Sequence, residues 1–311
     1  MQYAQGRSPG KLRGFLEGVH MSQYQPGILA APVPLQARHL FFAVDSLAAV
    51  PAALDALVQW ADSAAVIGVG EPLVTALGAR IEGLRAFPMV SGPGAHNPST
   101  QQALWVWLHG VDRGELLLRS RAVEKALASA FRLVQMIEGF RYKTGFDLTD
   151  YEDGTENPHD DAAVEAALTD SGASFAALQQ WQHDLDGFAA LPAQERDHII
   201  GRRHGDNEEL EDAPESAHTK RTAQESFTPE AFVVRRSMPW AENGQAGLMF
   251  LAFGHSFDAF EAQLRRMSGL EDGIVDGLYR ISTPLTGGYY WCPPLKDGHL
   301  DLSAILPAAN L

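Results

Sequence analysis

The stretch Gly247–Met267, which reads GLMFLAFGHSFDAFEAQLRRM, combines the two periodicities that decide the fold class. Its first seven residues form an uninterrupted run without polar side chains, of the length of a strand. Ser256–Met267 then repeats Phe257, Phe260 and Leu264 at helical spacing, so that the three side chains share one face. A strand followed at once by an amphipathic helix predicts helices that pack on a β-sheet.

The same alternation of strands and helices runs through the first half of the chain. Arg38–Val44 and Ala64–Val69 are apolar segments of strand length on either side of an amphipathic helix at Leu47–Trp60. Gln102–His109 alternates tryptophan with leucine and valine, a period of two that is typical of a strand with two unlike faces. Glu115–Arg141 carries apolar residues at helical spacing and is predicted to be one long helix.

The second half repeats this order of elements. Ser174–Trp181, Ala231–Ser237 and Thr286–Trp291 read as strands around the opening stretch, so each half has the order β-α-β-β-α-β of a ferredoxin-like unit. The sequence therefore predicts an α+β fold of duplicated ferredoxin-like domains. We expect antiparallel β-sheets flanked by helices, in an arrangement like that of the dimeric α+β barrels.

The predicted domains occupy residues 25–150 and 151–311, the second of which carries the functional loops. Residues 1–24 mix charged residues with scattered glycines and are predicted to form a flexible N-terminal extension. They contain no apolar segment of the signal-peptide type, and the apolar stretches elsewhere are too short to span a membrane. We therefore expect a cytoplasmic protein.

The charge balance and the cysteine count exclude several classes of protein. The chain has 311 residues, with 24 lysines and arginines against 39 aspartates and glutamates, which gives a formal net charge of −15. That balance argues against nucleic-acid binding, because no excess of cations is present to neutralise phosphates. The single cysteine, Cys292, excludes an internal disulfide framework and any cysteine-rich zinc or iron–sulfur site.

Two long polar stretches, residues 145–161 and 201–221, interrupt the pattern of strands and helices. Loops of this length inside a compact domain are usually functional or disordered. The carboxylates of the first stretch fit a calcium loop poorly, because Thr149 and Tyr151 would then stand at ligand positions. The plain alternative is a turn that begins at Asp153 and is closed by Asn157 before the following proline.

A histidine and a pair of arginines are further candidates for a site. His218 lies beside acidic residues in the second stretch, and a lone histidine in such a place is more often a solvated surface group than a ligand. Arg235 and Arg236 are adjacent on a predicted strand, so their side chains point to opposite faces and one of them must face inward. A buried arginine needs a partner or an anionic ligand.

Taken together, and in this order, five segments resemble the dye-decolorizing peroxidase family, in particular its bacterial cytoplasmic, B-type branch. The segments are residues 145–158 (GFDLTDYEDGTENP), 217–222 (AHTKRT), 232–240 (FVVRRSMPW), 247–267 and 272–291 (DGIVDGLYRISTPLTGGYYW). The resemblance implies a peroxidase with one haem b per chain, which heterolyses hydrogen peroxide to a ferryl intermediate and oxidises organic reductants such as dyes and phenolics. An alternative on the same fold is a haem- or porphyrin-handling protein that releases iron from haem, or binds or stores haem.

The resemblance also implies roles for single residues. His218 matches the proximal ligand of the haem iron, Asp153 the distal acid–base residue and Arg235 the distal arginine. Asp276 resembles the carboxylate that accepts a hydrogen bond from the proximal imidazole. Asp150 stands where the family usually has glycine, which is a departure from the pattern.

Four further residues are assigned to haem binding. Leu248 and Phe250 alternate with Met249 on a predicted strand and would share a face toward the haem. Ser237 stands where some relatives carry asparagine. Arg202 is expected to pair with a haem propionate, and the alternative is a surface salt bridge with Glu208 or Glu209.

The expected partners are hydrogen peroxide and a small organic reductant, with no nucleic acid and no membrane. We expect a homo-oligomer, a dimer or larger. We do not expect packaging in an encapsulin shell, because residues 302–311 leave little room for a targeting tail after the last strand. A bulky dye would need electron transfer through a tryptophan or tyrosine, and the sequence nominates no particular one.

Overall fold

The computed structural model describes residues 23–306, with the exception of residues 59, 61 and 63. The strands of this part of the chain are β1 (Gln36–Val44), β2 (Ala65–Gly70), β3 (Val90–Gly92), β4 (Ala95–Asn97), β5 (Leu104–Gly110), β6 (Phe131–Phe140), β7 (Ser174–His183), β8 (Val234–Arg235), β9 (Met238–Glu242), β10 (Gln245–Gly254), β11 (Ser282–Pro284), β12 (Gly288–Cys292), β13 (Leu295–Lys296) and β14 (His299–Leu300). The extension predicted at residues 1–24 lies almost wholly outside the described residues.

The helices of the described residues flank the main sheet. They are α1 (Val50–Val58), α2 (Glu71–Ala76), α3 (Arg113–Leu127), α4 (Asp160–Ala167), α5 (Leu185–Ala190), α6 (Ala193–Ile200), α7 (His218–Arg221) and α8 (Asp258–Met267), with 3-10 turns at Pro26–Ile28, Leu47–Ala49, Gln224–Ser226 and Gly277–Arg280. Within the described ranges, none of them combines the length and the apolar character that a membrane span requires.

The main sheet closes on itself into an antiparallel barrel. Its strands follow the order β12-β2-β5-β1-β6-β9-β10-β7, and β7 pairs with β12 as well as with β10. On one edge of β7, β11 and β12 lie end to end, and β8 and β9 do the same on one edge of β10. Closure leaves the ring of strands without a free end.

Each half of the barrel has the strand order of a ferredoxin-like unit. In the first half the order is β2-β5-β1-β6, and in the second it is β9-β10-β7-β12, so the first and third strands of each unit are central. The halves join at β12 with β2 and at β6 with β9. The predicted α+β fold of duplicated ferredoxin-like units is therefore confirmed, while the proposed boundary at residue 150 stays a prediction.

The two faces of each strand bury different groups of side chains. On β5, Trp105 and Trp107 point into the barrel, where they belong to a cluster drawn from the strands around the ring. Val106 belongs to the cluster between the sheet and helices α1, α3 and α8. The two unlike faces that the alternation in β5 predicted are thus the barrel interior and the layer under the helices.

Two of the predicted elements are wrong. Residues 115–141 do not form one helix, because α3 ends at Leu127 and β6 pairs with β1 along its length. Phe131 and Ile137, which continued the helical stripe, are buried in the sheet instead. Of the strand predicted at Ala231–Ser237, only Val234–Arg235, which is β8, pairs with β10. The next strand along that edge of β10 is β9, which is a separate element.

Candidate active site

A mainly apolar cavity lies between the outer face of the second half's sheet and helix α8. It encloses about 860 Å³, including space open to solvent, which is in the range of roughly 300–1,000 Å³ typical of cofactor sites. Leu248 and Phe250, which we expected to share a face, line it from β10. Phe260, Leu264 and Met267 line it from α8. We call this space the apolar chamber.

A polar cavity adjoins the apolar chamber and shares several residues with it. His218, Asp153 and Arg235 line both spaces, so they stand where the apolar chamber meets the polar mouth. Arg202 and Glu209 line the mouth alone. An apolar chamber with a polar mouth suits a flat apolar ligand that carries charged groups on one edge.

His218 is held by one ring nitrogen. It begins the short helix α7, and its Nδ1 lies 2.8 Å from Oδ2 of Asp276, a carboxylate with no exposed side-chain surface. The other oxygen, Oδ1, accepts a hydrogen bond of 2.8 Å from the backbone N–H of Leu278. A carboxylate at Nδ1 favours the proton there, and among the described residues Nε2 has no hydrogen-bond partner. The imidazole is therefore oriented with Nε2 free to bind a metal.

Asp153 and Arg235 form an ion pair at the same junction. Arg235 Nη1 lies 3.2 Å from Asp153 Oδ1, and the two side chains are 19% and 22% exposed. The backbone N–H of Asp153 donates to the carbonyl of Gly145, which fixes the loop at this point. A carboxylate and a fixed cation thus stand side by side at the edge of the apolar chamber.

Asn157 fastens the loop of Asp153 to the strand of Arg235, a function that the sequence analysis missed. Its Nδ2 donates to the carbonyl of Arg235 at 3.0 Å, and its Oδ1 accepts from the N–H of Arg235 at 2.7 Å. The side-chain amide therefore replaces the backbone of a neighbouring strand. An asparagine amide can both donate and accept a hydrogen bond, which was the signal in the sequence. Asn157 was interpreted only as the end of a turn.

That turn, and not a calcium loop, is what the acidic stretch forms. The N–H of Asn157 donates to the carbonyl of Gly154, whose φ of +73° is a conformation that glycine adopts easily. The acidic side chains are used in ion pairs, as in those of Asp150 with Lys143 and of Glu156 with Arg202. Over the described ranges, no group of three or more His, Cys, Asp or Glu is placed to hold a metal ion.

Asp150 does not line the apolar chamber. It adopts a φ of +71°, where a glycine fits without strain, and its Oδ2 lies 3.2 Å from Nε2 of His204. Hydrogen bonds from Lys143, the main cause, and from His204 hold the pKa of Asp150 below its usual value. The carboxylate that departs from the expected glycine is therefore directed to these two partners.

A buried histidine–aspartate pair on the chamber wall was not predicted. His183 Nε2 lies 3.0 Å from Asp147 Oδ1, and His183 Nδ1 lies 2.7 Å from the hydroxyl of Ser282. Burial alone would raise the pKa of Asp147, but the hydrogen bonds from His183 and Thr149 outweigh it and hold that pKa below its usual value. The pair places a hydrogen-bonded polar group on the wall of the apolar chamber.

The remaining predicted residues lie around the apolar chamber. Ser237 lines a small pocket beside it, together with Arg235 and Leu248. Arg202 pairs with Glu156 at 2.9 Å and with Glu209 at 2.7 Å, so the salt bridge foreseen with Glu209 is present at the mouth.

The two adjacent arginines diverge as expected. Arg235 lines the apolar chamber, whereas Arg236 is buried away from it and donates to the carbonyl of Arg235. Burial lowers the pKa of Arg236 to about 10. The residue at the site is therefore the first of the pair.

A comparison with known proteins places this arrangement in a family context. A family model described as "Dyp-type peroxidase, C-terminal" matches residues 144–297. This range includes Asp153, His218, Arg235 and Asp276. A dye-decolorizing peroxidase of Mycolicibacterium paratuberculosis is 28% identical over 317 residues, which cover 93% of this chain and 89% of that protein. The similarity therefore extends over both halves of the barrel.

Solved structures show the same fold. A variant of DypB from Rhodococcus jostii, in complex with heme, matches with a TM-score of 0.78 and 25% identity over 86% of this chain and 95% of that chain. An encapsulated DyP-type peroxidase from Mycobacterium smegmatis matches with a TM-score of 0.76 and 25% identity over 88% of this chain and 96% of that chain.

The expectation against encapsulin packaging rests partly on residues 307–311, which lie outside the described part, and it stays a prediction.

Proposed function

The chain belongs to the Dyp-type peroxidase family and is a haem-dependent peroxidase, and on this premise we propose that His218, Asp153 and Arg235 carry its reaction with hydrogen peroxide. The observation that supports this proposal best is their meeting at one junction of the apolar chamber and the polar mouth. An acid–base group, a fixed cation and a free imidazole nitrogen are the groups that this chemistry needs.

The residues of the site fit a haem b, one per chain. His218 would bind the iron through Nε2, because Asp276 already engages Nδ1. Leu248, Phe250 and the apolar side chains of α8 would contact the macrocycle. When bound, the haem supplies the redox chemistry by which the peroxide bond is cleaved.

Asp153 moves the proton in this proposal. Its Oδ1 is engaged by Arg235, so Oδ2 takes the proton from one peroxide oxygen and returns it to the oxygen that departs. Arg235 holds its charge beside the departing oxygen, where negative charge develops. Asp276 keeps the His218 ring in place and raises its basicity through the hydrogen bond at Nδ1.

The other assignments are proposals of the same kind. Arg202 binds a haem propionate at the mouth by exchanging one of its two glutamate partners for the propionate. Ser237 contacts the haem from the small pocket that it lines together with Arg235 and Leu248. The reductant that enters the chamber is a small organic molecule, and the cytoplasmic location stays the prediction made from the sequence.

We also propose that the protein associates with copies of itself. Leu117 on α3 and Met136 on β6 are partly exposed apolar residues that line one shallow groove together with Leu133, and charged residues such as Arg121 and Glu124 line it as well. Apolar side chains grouped at a surface are typical of an interface between subunits.

A haem-handling protein is the second candidate, and the Asp153–Arg235 pair argues against it. Binding or storage of a porphyrin requires neither an acid–base carboxylate nor a fixed cation paired with it. The pair is held at 3.2 Å and is fixed from behind by Asn157, which is what a catalytic function requires.

The test uses three variants of the haem-loaded enzyme. Asp153→Asn and Arg235→Leu should retain haem and slow the peroxide-induced change of the Soret band, roughly a hundred- to a thousand-fold for the loss of one such group. His218→Ala should lose or loosen the haem, which the Soret absorbance per chain measures. Rates within tenfold of wild type in both distal variants would refute the proposed roles.

A further inference from the structure

Two tyrosines lie near the apolar chamber, and they differ in how they meet it. Tyr151 lines the chamber directly and is buried. Tyr279 does not line it but stands behind Trp181, a chamber residue, with ring centroids 5.3 Å apart. Tyr151 is therefore the phenol in direct contact with the space that the haem would fill.

The hydroxyl groups of these tyrosines also have different partners. Tyr151 donates its O–H to Oδ1 of Asp197, a carboxylate. Tyr279 donates to Oδ1 of Asn97 at 2.9 Å, a neutral amide oxygen. A phenol that loses an electron becomes a strong acid, so it must pass its proton to a base. A carboxylate can take that proton, whereas an amide oxygen is far too weak a base.

Tyr151 is also one contact away from the surface. The ring of His204 meets the Tyr151 ring edge to face, with centroids 5.5 Å apart, and the His204 side chain is 47% exposed. The backbone N–H of His204 donates to the same Asp197 oxygen at 3.0 Å, so the loop and the carboxylate are fixed together. Phe188 packs on another side of the Tyr151 ring.

We infer that Tyr151 transfers oxidising equivalents from the apolar chamber to the surface at His204, where aromatic reductants too large for the chamber give up electrons. The inference rests on the proposed function, which supplies the oxidant.

The step balances as a one-electron oxidation of the phenol. Tyr151 gives one electron to the peroxide-oxidised haem, and its hydroxyl proton passes to Asp197, which leaves a neutral phenoxyl radical. An aromatic reductant at the surface then returns one electron, and Asp197 returns the proton. Each molecule of peroxide supplies two oxidising equivalents, so two reductant molecules are oxidised in each cycle.

The experiment compares Tyr151→Phe with the matched control Tyr279→Phe. Each haem-loaded protein is mixed with peroxide, frozen within seconds and examined by electron paramagnetic resonance, with ring-deuterated tyrosine used to identify a tyrosyl signal. We expect the tyrosyl signal of the wild-type protein to fall at least tenfold in Tyr151→Phe and to persist in Tyr279→Phe. Retention of the signal in Tyr151→Phe would overturn the inference.

A second variant and a second readout make the test robust to a folding defect. Asp197→Asn keeps a hydrogen-bonding partner but cannot take the proton, so the tyrosyl yield should fall at least fivefold while Tyr151 remains. The rate with a bulky anthraquinone dye should fall at least tenfold more than the rate with a small phenol in Tyr151→Phe. Equal losses with both reductants would contradict the surface route.

Failure of the proposed function would look different. In that case the Soret band of the wild-type protein would not respond to peroxide, and no tyrosyl signal would form in the wild-type protein or in any variant. A normal Soret response together with an unchanged tyrosyl signal in Tyr151→Phe would refute the function of Tyr151 alone.

Discussion

Among the single residues of the site, Asp276 is the most completely constrained. Its side chain has no exposed surface, and its two oxygens are divided between the imidazole of His218 and the backbone N–H of Leu278. A buried carboxylate without these partners would be strongly disfavoured. Both oxygens are therefore occupied, and the carboxylate holds the ring of His218, the proposed ligand of the iron, at Nδ1.

This constraint makes the reduction potential of the haem iron dependent on Asp276. Asp276→Asn replaces the carboxylate behind His218 with a neutral amide. Ferric iron is then stabilised less, so the reduction potential should rise. A spectroelectrochemical titration of the haem-loaded protein measures it.

Asp301→Asn is the matched control, since Asp301 also accepts a backbone hydrogen bond, from Ser303, but lies outside the site. Its potential should equal that of the wild-type protein. An unchanged potential in haem-replete Asp276→Asn would show that the carboxylate only positions the ring.

The elements of the site depend on a substitute for regular pairing. β8 is two residues long, and its outer edge is completed by the side-chain amide of Asn157 rather than by another strand. The side chain of Asn157 therefore joins the backbone of Arg235 to the loop of Asp153.

Removal of that amide should disturb both functional side chains together. Asn157→Ala loses both hydrogen bonds to the backbone of Arg235, and we expect the reaction with peroxide to slow about tenfold or more, because small displacements of catalytic groups are costly. Haem content should stay near that of the wild-type protein, since the chamber wall is intact. Stopped-flow absorbance in the Soret region gives the rate.

His159→Ala provides the comparison, because His159 is an exposed residue of the same loop whose side chain caps no helix. Its rate should match that of the wild-type protein. The anchoring function of Asn157 is disproved by a rate within twofold of wild type in Asn157→Ala.

The sequence predicted the strands of the barrel better than the point where a helix ends. Between Leu127 and Gly139 the chain has no glycine or proline, and Phe131 and Ile137 continue the helical spacing of α3. Pairing with β1 decides that this segment is a strand, and such long-range pairing leaves no local signal. The buried pair of His183 and Asp147 escaped prediction for the same reason, because the two residues meet only in the folded chain.

The residues placed at the junction were predicted through a resemblance and not through spacing. Asp153, His218 and Arg235 are far apart in the chain, and no periodicity connects them. The fold brings them together because the loop after β6, the helix α7 and the strand β8 all meet at one end of the apolar chamber. Short-range patterns alone could not have shown this meeting.

At the scale of the molecule, the described part of the barrel interior carries His39 and His109, both neutral in the folded state near pH 7. His39 is fully buried between Trp105 and Trp107, and His109 lies next to Trp107. Burial, with a smaller contribution from His109, lowers the pKa of His39 to about 3. Burial likewise lowers the pKa of His109 to about 4. Both pKa values lie below the ordinary value of 6.5 for a histidine in an unfolded chain. Below pH 6.5 the unfolded chain therefore binds more protons than the folded protein does.

Stability should therefore fall as the pH drops below about 6.5. Each of these histidines removes about 1.4 kcal/mol of unfolding free energy per pH unit until its folded pKa is reached. His39→Gln, which keeps an acceptor for Trp105, should lose about 2 kcal/mol less than the wild-type protein between pH 7 and pH 5. Urea unfolding at the two pH values measures the difference.

The exposed His255 supplies the control for this experiment. His255→Gln should lose as much stability as the wild-type protein between the two pH values. If His39→Gln also follows the wild-type protein, acid sensitivity has another origin.

The closure of the barrel also bears on how such a molecule can arise. The halves share one strand order and meet at two seams, Tyr290 and Trp291 against Gly70 and Val69, and Gly139 against Trp240. A single half, made alone, would expose two bare strand edges, and a second copy of that half could cover both. The closed ring therefore has the geometry of a homodimer joined into one chain. In such a ring one half can carry the residues of the apolar chamber while the other supplies the strands that complete the closure.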